Sequence, residues 1–179
     1  TLIDISMVVN LIVIVVIGLV LFGCKSLQPT YRLNKEMELN LILNDWHKAA
    51  AEANFETYFG AMSVDAIYIG TDPTENWNKE EFIKFAKPYF DRGKAWNFTA
   101  LERNIYFSSD MKMAWFDELL NTQMKICRGS GVMVRDSDWN WKIKHYVLSM
   151  TIPNDNTDEV VKIKSLIEDK EIEKLKKGE

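Results

Sequence analysis

The chain has 179 residues, 47% of them hydrophobic, enough to bury the core of one domain together with accessory segments. Its formal net charge of -4 gives no cationic footprint, so nucleic acid is not an expected partner. Two cysteines, Cys24 and Cys127, are too few for a disulfide-stapled scaffold.

The first segment, "MVVNLIVIVVIGLVLFGCKS", carries no charge from Met7 to Gly23. That run is short for the ~20 apolar residues a bilayer core asks of a helix. Its end, Leu21, Phe22, Gly23 and Cys24, resembles a bacterial lipoprotein signal, in which a small residue precedes a cysteine that takes lipid, although Phe22 is larger than usual. Residues 1–23 therefore read as a lipoprotein signal with Cys24 lipidated, or as an uncleaved membrane anchor, with a buried core helix as the third reading. Asp4 but no lysine or arginine precedes the run, so a basic segment upstream of Thr1 is expected. Either leading reading exports the rest of the chain and holds it at the cell envelope through its N-terminus. Cys127 is then the remaining thiol, a small buried hydrophobe in a strand or a reactive nucleophile.

Residues 24–34 form a polar connector, and a helical period follows. Leu39, Ile42, Leu43, Trp46, Ala50 and Ala53 fall on one stripe, with Asn34 available as N-cap. Asn54 can cap a second, short helix through Phe55, Tyr58, Phe59 and Met62. "DAIYIGTDP" reads as a brief strand ending in turn residues. A third helix begins in "NWNKEEFIKFAKPYFDRG": Asn78 and Glu81 make a capping-box pair, Phe82, Phe85, Ala86 and Tyr89 share a face, Pro88 loosens the last turn and Gly93 stops it. From Trp96 the period is two, through "NFTALERNIYFSS", "MKMAWFDELLN", "CRGSGVMVR" and "WNWKIKHYVLSMTI", joined by short turns that make neighbours antiparallel. After Pro153, residues 155–179 form a charged amphipathic helix, either solvated or docked. Gly-rich phosphate loops, metal-ligand spacing and internal repeats are lacking in the sequence, so no cofactor or metal is expected.

These elements predict an α+β fold, a curved antiparallel sheet wrapped around three N-terminal helices. "GTDPTENW", "AWFDELL", "CRGSGV" and "WKIKHYVLSMTIPN", in that order after "DWHKAAAEANFETYFGAM", make residues 35–154 similar to the SnoaL-like branch of the nuclear transport factor two-like superfamily, which includes ketosteroid isomerases. That resemblance implies a cone-shaped α+β barrel around a cavity, often dimeric and pairing through the sheet. Relatives use it for isomerisation, cyclisation, dehydration or binding alone.

Strand parity nominates the pocket residues. With Lys142 and Lys144 outward, His145 points inward unless a bulge intervenes, as a satisfied neutral imidazole or a titratable pocket group, and Tyr146 faces the other side. In one hairpin register Asp117 faces Arg128; in the register shifted by one, Glu118 does. That pair is a polar cavity wall or a half-exposed structural contact. Asp72, before Pro73, is a turn residue or a base at the cavity mouth. Trp46, Tyr58, Trp96 and Trp115 supply apolar wall and core. The favoured function is binding of a small, largely apolar molecule. The alternatives are an isomerase, cyclase or dehydratase acting on a carbonyl substrate, with Asp117 or His145 as base and Arg128 or a tyrosine stabilising the oxyanion, and an oligomerisation or partner-binding module.

Overall fold

The computed structural model describes residues 30–178. The expected signal or anchor, residues 1–23, and Cys24 lie outside the described residues. Two compact units divide the chain, Thr1–Trp46 and His47–Glu179. Helix α1 covers residues 30–51, which contain no glycine or proline. The expected connector therefore differs: residues 30–34 already belong to α1, and Asn34 is not its N-cap. In the first unit Leu39, Leu43 and Trp46 are buried, as the apolar stripe predicts.

The second unit begins at His47. α1 closes where Ala53 takes a φ of 52°, with the Asn54 amide reaching the Ala49 carbonyl at 2.7 Å, a left-handed stop of the Schellman kind. Asn54 then caps α2, Phe55–Gly60, by accepting from the Thr57 amide. The strands are β1, Met62–Ile69; β2, Asn76–Asn78; β3, Thr99–Phe107; β4, Met113–Thr122; β5, Lys125–Arg135; and β6, Trp141–Met150. Helix α3, Lys79–Asp91, starts with the expected Asn78–Glu81 capping box and is followed by Gly93 at φ 73°. The exposed helix α4, Thr157–Lys177, ends the chain.

The sheet runs β2-β1-β6-β5-β4-β3. It is mixed: β1 and β6 pair parallel, while the other four junctions are antiparallel. The expectation of a wholly antiparallel sheet came from hairpin turns, and β1 and β6 are not joined by one. The fold class is α+β, as predicted. Its inner face carries Ile105 and Phe107, Ala114, Phe116, Glu118 and Leu120, Cys127, Gly129, Gly131 and Met133, then Ile143, Tyr146 and Leu148.

Two glycines, Gly129 and Gly131, lie in the middle of β5. A Cβ on Gly129 would lie 2.2 Å from the Tyr146 hydroxyl oxygen, and one on Gly131 would lie 2.6 Å from the His145 carbonyl oxygen and 2.8 Å from the Phe116 ring. They make room for neighbouring side chains rather than for a ligand.

Candidate functional site

Among the described residues Glu118 is the one buried carboxylate, on the inner face and 1% exposed. Across the sheet it faces Arg103 on β3 and Gly129 on β5. Because Gly129 has no side chain, Tyr146 reaches over it from β6 and donates its hydroxyl to Glu118 Oε1 at 3.0 Å. His47 Nε2 stands 2.8 Å from the same oxygen. Arg103 Nε donates to Oε2 at 2.8 Å, with a terminal guanidinium nitrogen 2.7 Å away. Both ion-pair contacts are dry, the His47 and Arg103 side chains being 5% and 4% exposed.

Burial alone pushes the Glu118 carboxyl up, but the hydrogen bond and charge of His47, joined by those of Arg103, outweigh it and hold the group below the ordinary glutamate value. An ionised carboxylate only accepts, so His47 Nε2 carries a proton towards it. Burial, then the Glu118 charge, raises the Tyr146 hydroxyl well above its ordinary value, keeping it a phenol that donates. Glu118 thus has both oxygens engaged in hydrogen bonds, which makes it a poor proton acceptor for anything else.

Next to this cluster is an aromatic cup of about 150 Å³ between β1, α3, the segment before β3 and the β4–β5 turn. Tyr68, Trp77, Phe82, Phe85, Trp96 and Phe98 line it. Its rings lie near parallel: Tyr68 and Phe82 at 13°, Trp77 and Phe82 at 14°, Trp77 and Phe85 at 24°, Phe82 and Trp96 at 28°. Glu75 braces the rim by folding onto Gly70 and accepting from the Asp72 amide at 3.2 Å. Phe98 joins cup and cluster, its ring 6.0 Å from His47. Neither Glu118 nor His47 lines the cup.

Of the sequence-nominated residues, Glu118 and Tyr146 meet in this cluster, and the others scatter. Arg128 pairs with neither Asp117 nor Glu118: it lies opposite Leu119 and Ser149 and is exposed. Both expected registers fail because the β4–β5 turn is tight, with Thr122 opposite Lys125, which sets Asp117 against Ser130. Asp117 is on the outer face, accepting from Asn104 at 3.2 Å. His145 also faces outward. A bulge makes Val132 pair with His145 and Met133 with Ile143, so Lys144 is an extra residue that flips the parity and turns Tyr146 inward.

Asp72 is a turn residue, accepting from the Thr74 amide at 2.9 Å and its hydroxyl at 2.6 Å. Trp115 is 43% exposed on the outer face, stacked on Tyr106. Tyr58 is buried core among Phe59, Phe82, Phe90 and Trp96. Trp46 is buried in the first unit, and Trp96 alone of these candidates lines the cup. Cys127 is a buried free thiol.

His47 and Arg103 were not singled out by sequence reasoning. Their signals are legible in retrospect: His47 falls on the α1 stripe four residues after Leu43, and Arg103 shares parity with Ile105 and Phe107.

A family profile described as SnoaL-like domain matches residues 39–153. No curated protein sequence matches the chain significantly. Among solved structures, an NTF2-like protein of unknown function from Pseudomonas putida KT2440 is similar at 11% identity, with TM-score 0.58, covering 68% of this chain and 90% of that one. A protein provisionally named a ketosteroid isomerase from Parabacteroides distasonis matches at 15% identity, TM-score 0.52, over 64% and 86%. The association domain of C. elegans CaMKII matches at 16% identity, TM-score 0.53, over 65% and 95%.

Proposed function

The chain belongs to the SnoaL-like domain family, and on that premise we propose that the domain is a noncatalytic binding module taking the apolar part of a small molecule into its aromatic cup. The fold is the NTF2-like, ketosteroid isomerase-like one. The observation that carries the reading is the set of near-parallel rings around about 150 Å³, a volume of the order that holds a single six-membered ring. Stacking between such faces contributes about 0.5–1.5 kcal/mol beyond area burial. The bases nominated for the isomerase, cyclase or dehydratase reading are placed elsewhere or already engaged. Asp117 and His145 face outward, Asp72 is occupied in its turn, and Glu118 is saturated by three partners.

The experiment is a toluene titration followed by the fluorescence of Trp77 and Trp96. Saturable quenching that Phe82→Ala weakens supports the cup. A linear response indistinguishable from free tryptophan counts against it.

A second reading, self-association through the outer sheet face, is supported by the half-exposed Tyr106 and Trp115, stacked with centroids 5.9 Å apart beside exposed Met113, and by the likeness to an association domain. Trp115→Glu would then lower the mass measured by light scattering. We also propose export and tethering through the N-terminal apolar run and Cys24, a reading that rests on the sequence alone.

A further inference from the structure

Beside the cup lies a second concavity of about 550 Å³, at the end of the sheet where the segment before β3 meets the β4–β5 turn. The two share Trp96 and Gln123, so one partition separates them. Their chemistry is opposite. The cup is ringed by aromatic residues; the second cleft is lined by Asn97, Asn121 and Gln123, with Thr99 and Lys94.

Three features mark this cleft as a polar subsite. The amides of Asn97, Asn121 and Gln123 carry no hydrogen bond to another part of the chain among the described residues, whereas Asn54, Asn78 and Asn140 use theirs in caps and turns. Lys94 is its one charged residue, so donors outnumber acceptors. The partition is held in place: Thr122 Oγ1 accepts from the Met124 amide at 2.9 Å and donates to the Lys125 carbonyl at 2.9 Å, fixing the turn that carries Gln123. A side chain fixed at its backbone loses less freedom when it binds.

We infer that cup and cleft are two halves of one amphipathic site, whose ligand is a single apolar ring carrying a short tail that ends in an oxygen acceptor, a carboxylate or a carboxamide. This rests on the cup reading of the preceding subsection and adds the ligand class to it. The cup accepts the ring by size; Asn121, Gln123 and Lys94 receive the tail as donors across the Trp96 partition.

The test compares toluene, 3-phenylpropionate and 3-phenylpropionamide, each titrated into the wild-type protein and into Lys94→Ala/Asn121→Ala, two residues that line the cleft and not the cup. The expected result is at least about tenfold tighter binding of both tailed probes than of toluene to the wild type. The double variant should lose that advantage while its toluene affinity stays unchanged, which also shows that it is folded. Wild-type protein that binds toluene and the tailed probes equally overturns the amphipathic site and leaves the cup standing. A tail preference that survives in the double variant overturns it as well. Failure of all three probes to bind overturns both this proposal and the cup reading.

Discussion

Arg103→Met tests whether the Glu118 cluster holds the fold together. Methionine retains much of the apolar stem but removes the guanidinium, which contacts Glu118 Oε2 at 2.8 and 2.7 Å with side chains 4% and 0% exposed. At that burial the pair lies in the regime where losing one partner costs about 3–5 kcal/mol, rather than the under ~1 kcal/mol of an exposed pair. His47 and Tyr146 still hold Oε1, so the lower end is expected, about 3 kcal/mol. With a urea m-value of about 2 kcal/mol/M, the midpoint falls by roughly 1.5 M. The double variant Arg103→Met/Glu118→Leu leaves no orphan charge and recovers most of the loss. A single-variant midpoint within about 0.3 M of wild type would refute the reasoning, because it would mean that Oε2 reaches water.

Tyr146→Phe removes one donor from the carboxylate and should cost about 1.5–3 kcal/mol by the same urea assay. Gly129→Ala puts a methyl where the Tyr146 hydroxyl and the Glu118 stem sit, at 2.2 and 3.0 Å, and should cost about 1–3 kcal/mol, more than the same change at open Gly60. Glu118 is held below its unfolded value, so the unfolded chain binds more protons as the medium is acidified. The stability from that group is therefore present above about pH 4.3 and is lost as pH falls through the folded value, and Glu118→Gln should flatten the acid limb of a midpoint-against-pH curve. Arg128→Met, at an exposed position, should leave stability within about 0.5 kcal/mol of wild type. Cys24→Ala should release the protein from membranes and abolish palmitate incorporation; an unchanged membrane fraction and unchanged labelling would contradict the lipid tether.

The elements were legible wherever local chemistry decides them. Asn54 and the Asn78–Glu81 box bond only within a turn of their own helix, so their side chains suffice to place helix starts. The site was not, because facing depends on pairing. The strand parity that nominated His145 holds up to Ile143 and is then reversed by one extra residue, Lys144, whose Nζ is paired with Asp65 on β1. Two registers pair Arg128 with a carboxylate, yet the turn at Gln123 and Met124 selects a third. The true partner of Glu118, Arg103, comes from the hairpin on the other side. Cup residues Phe82 and Phe85 were visible as one helix face, but only the packing of α3 against β1 and β2 sets them beside Tyr68 and Trp77.

The most direct measurement is the position of a bound ring. Toluene with natural-abundance carbon, added to protein uniformly labelled with ¹³C, would be located by filtered NOEs. The account predicts NOEs from the toluene protons to ring protons of Trp77, Phe82, Phe85 and Trp96, the residues that line the cup. Saturable binding with NOEs confined to the outer face around Tyr106 and Trp115, or to α4, would contradict it.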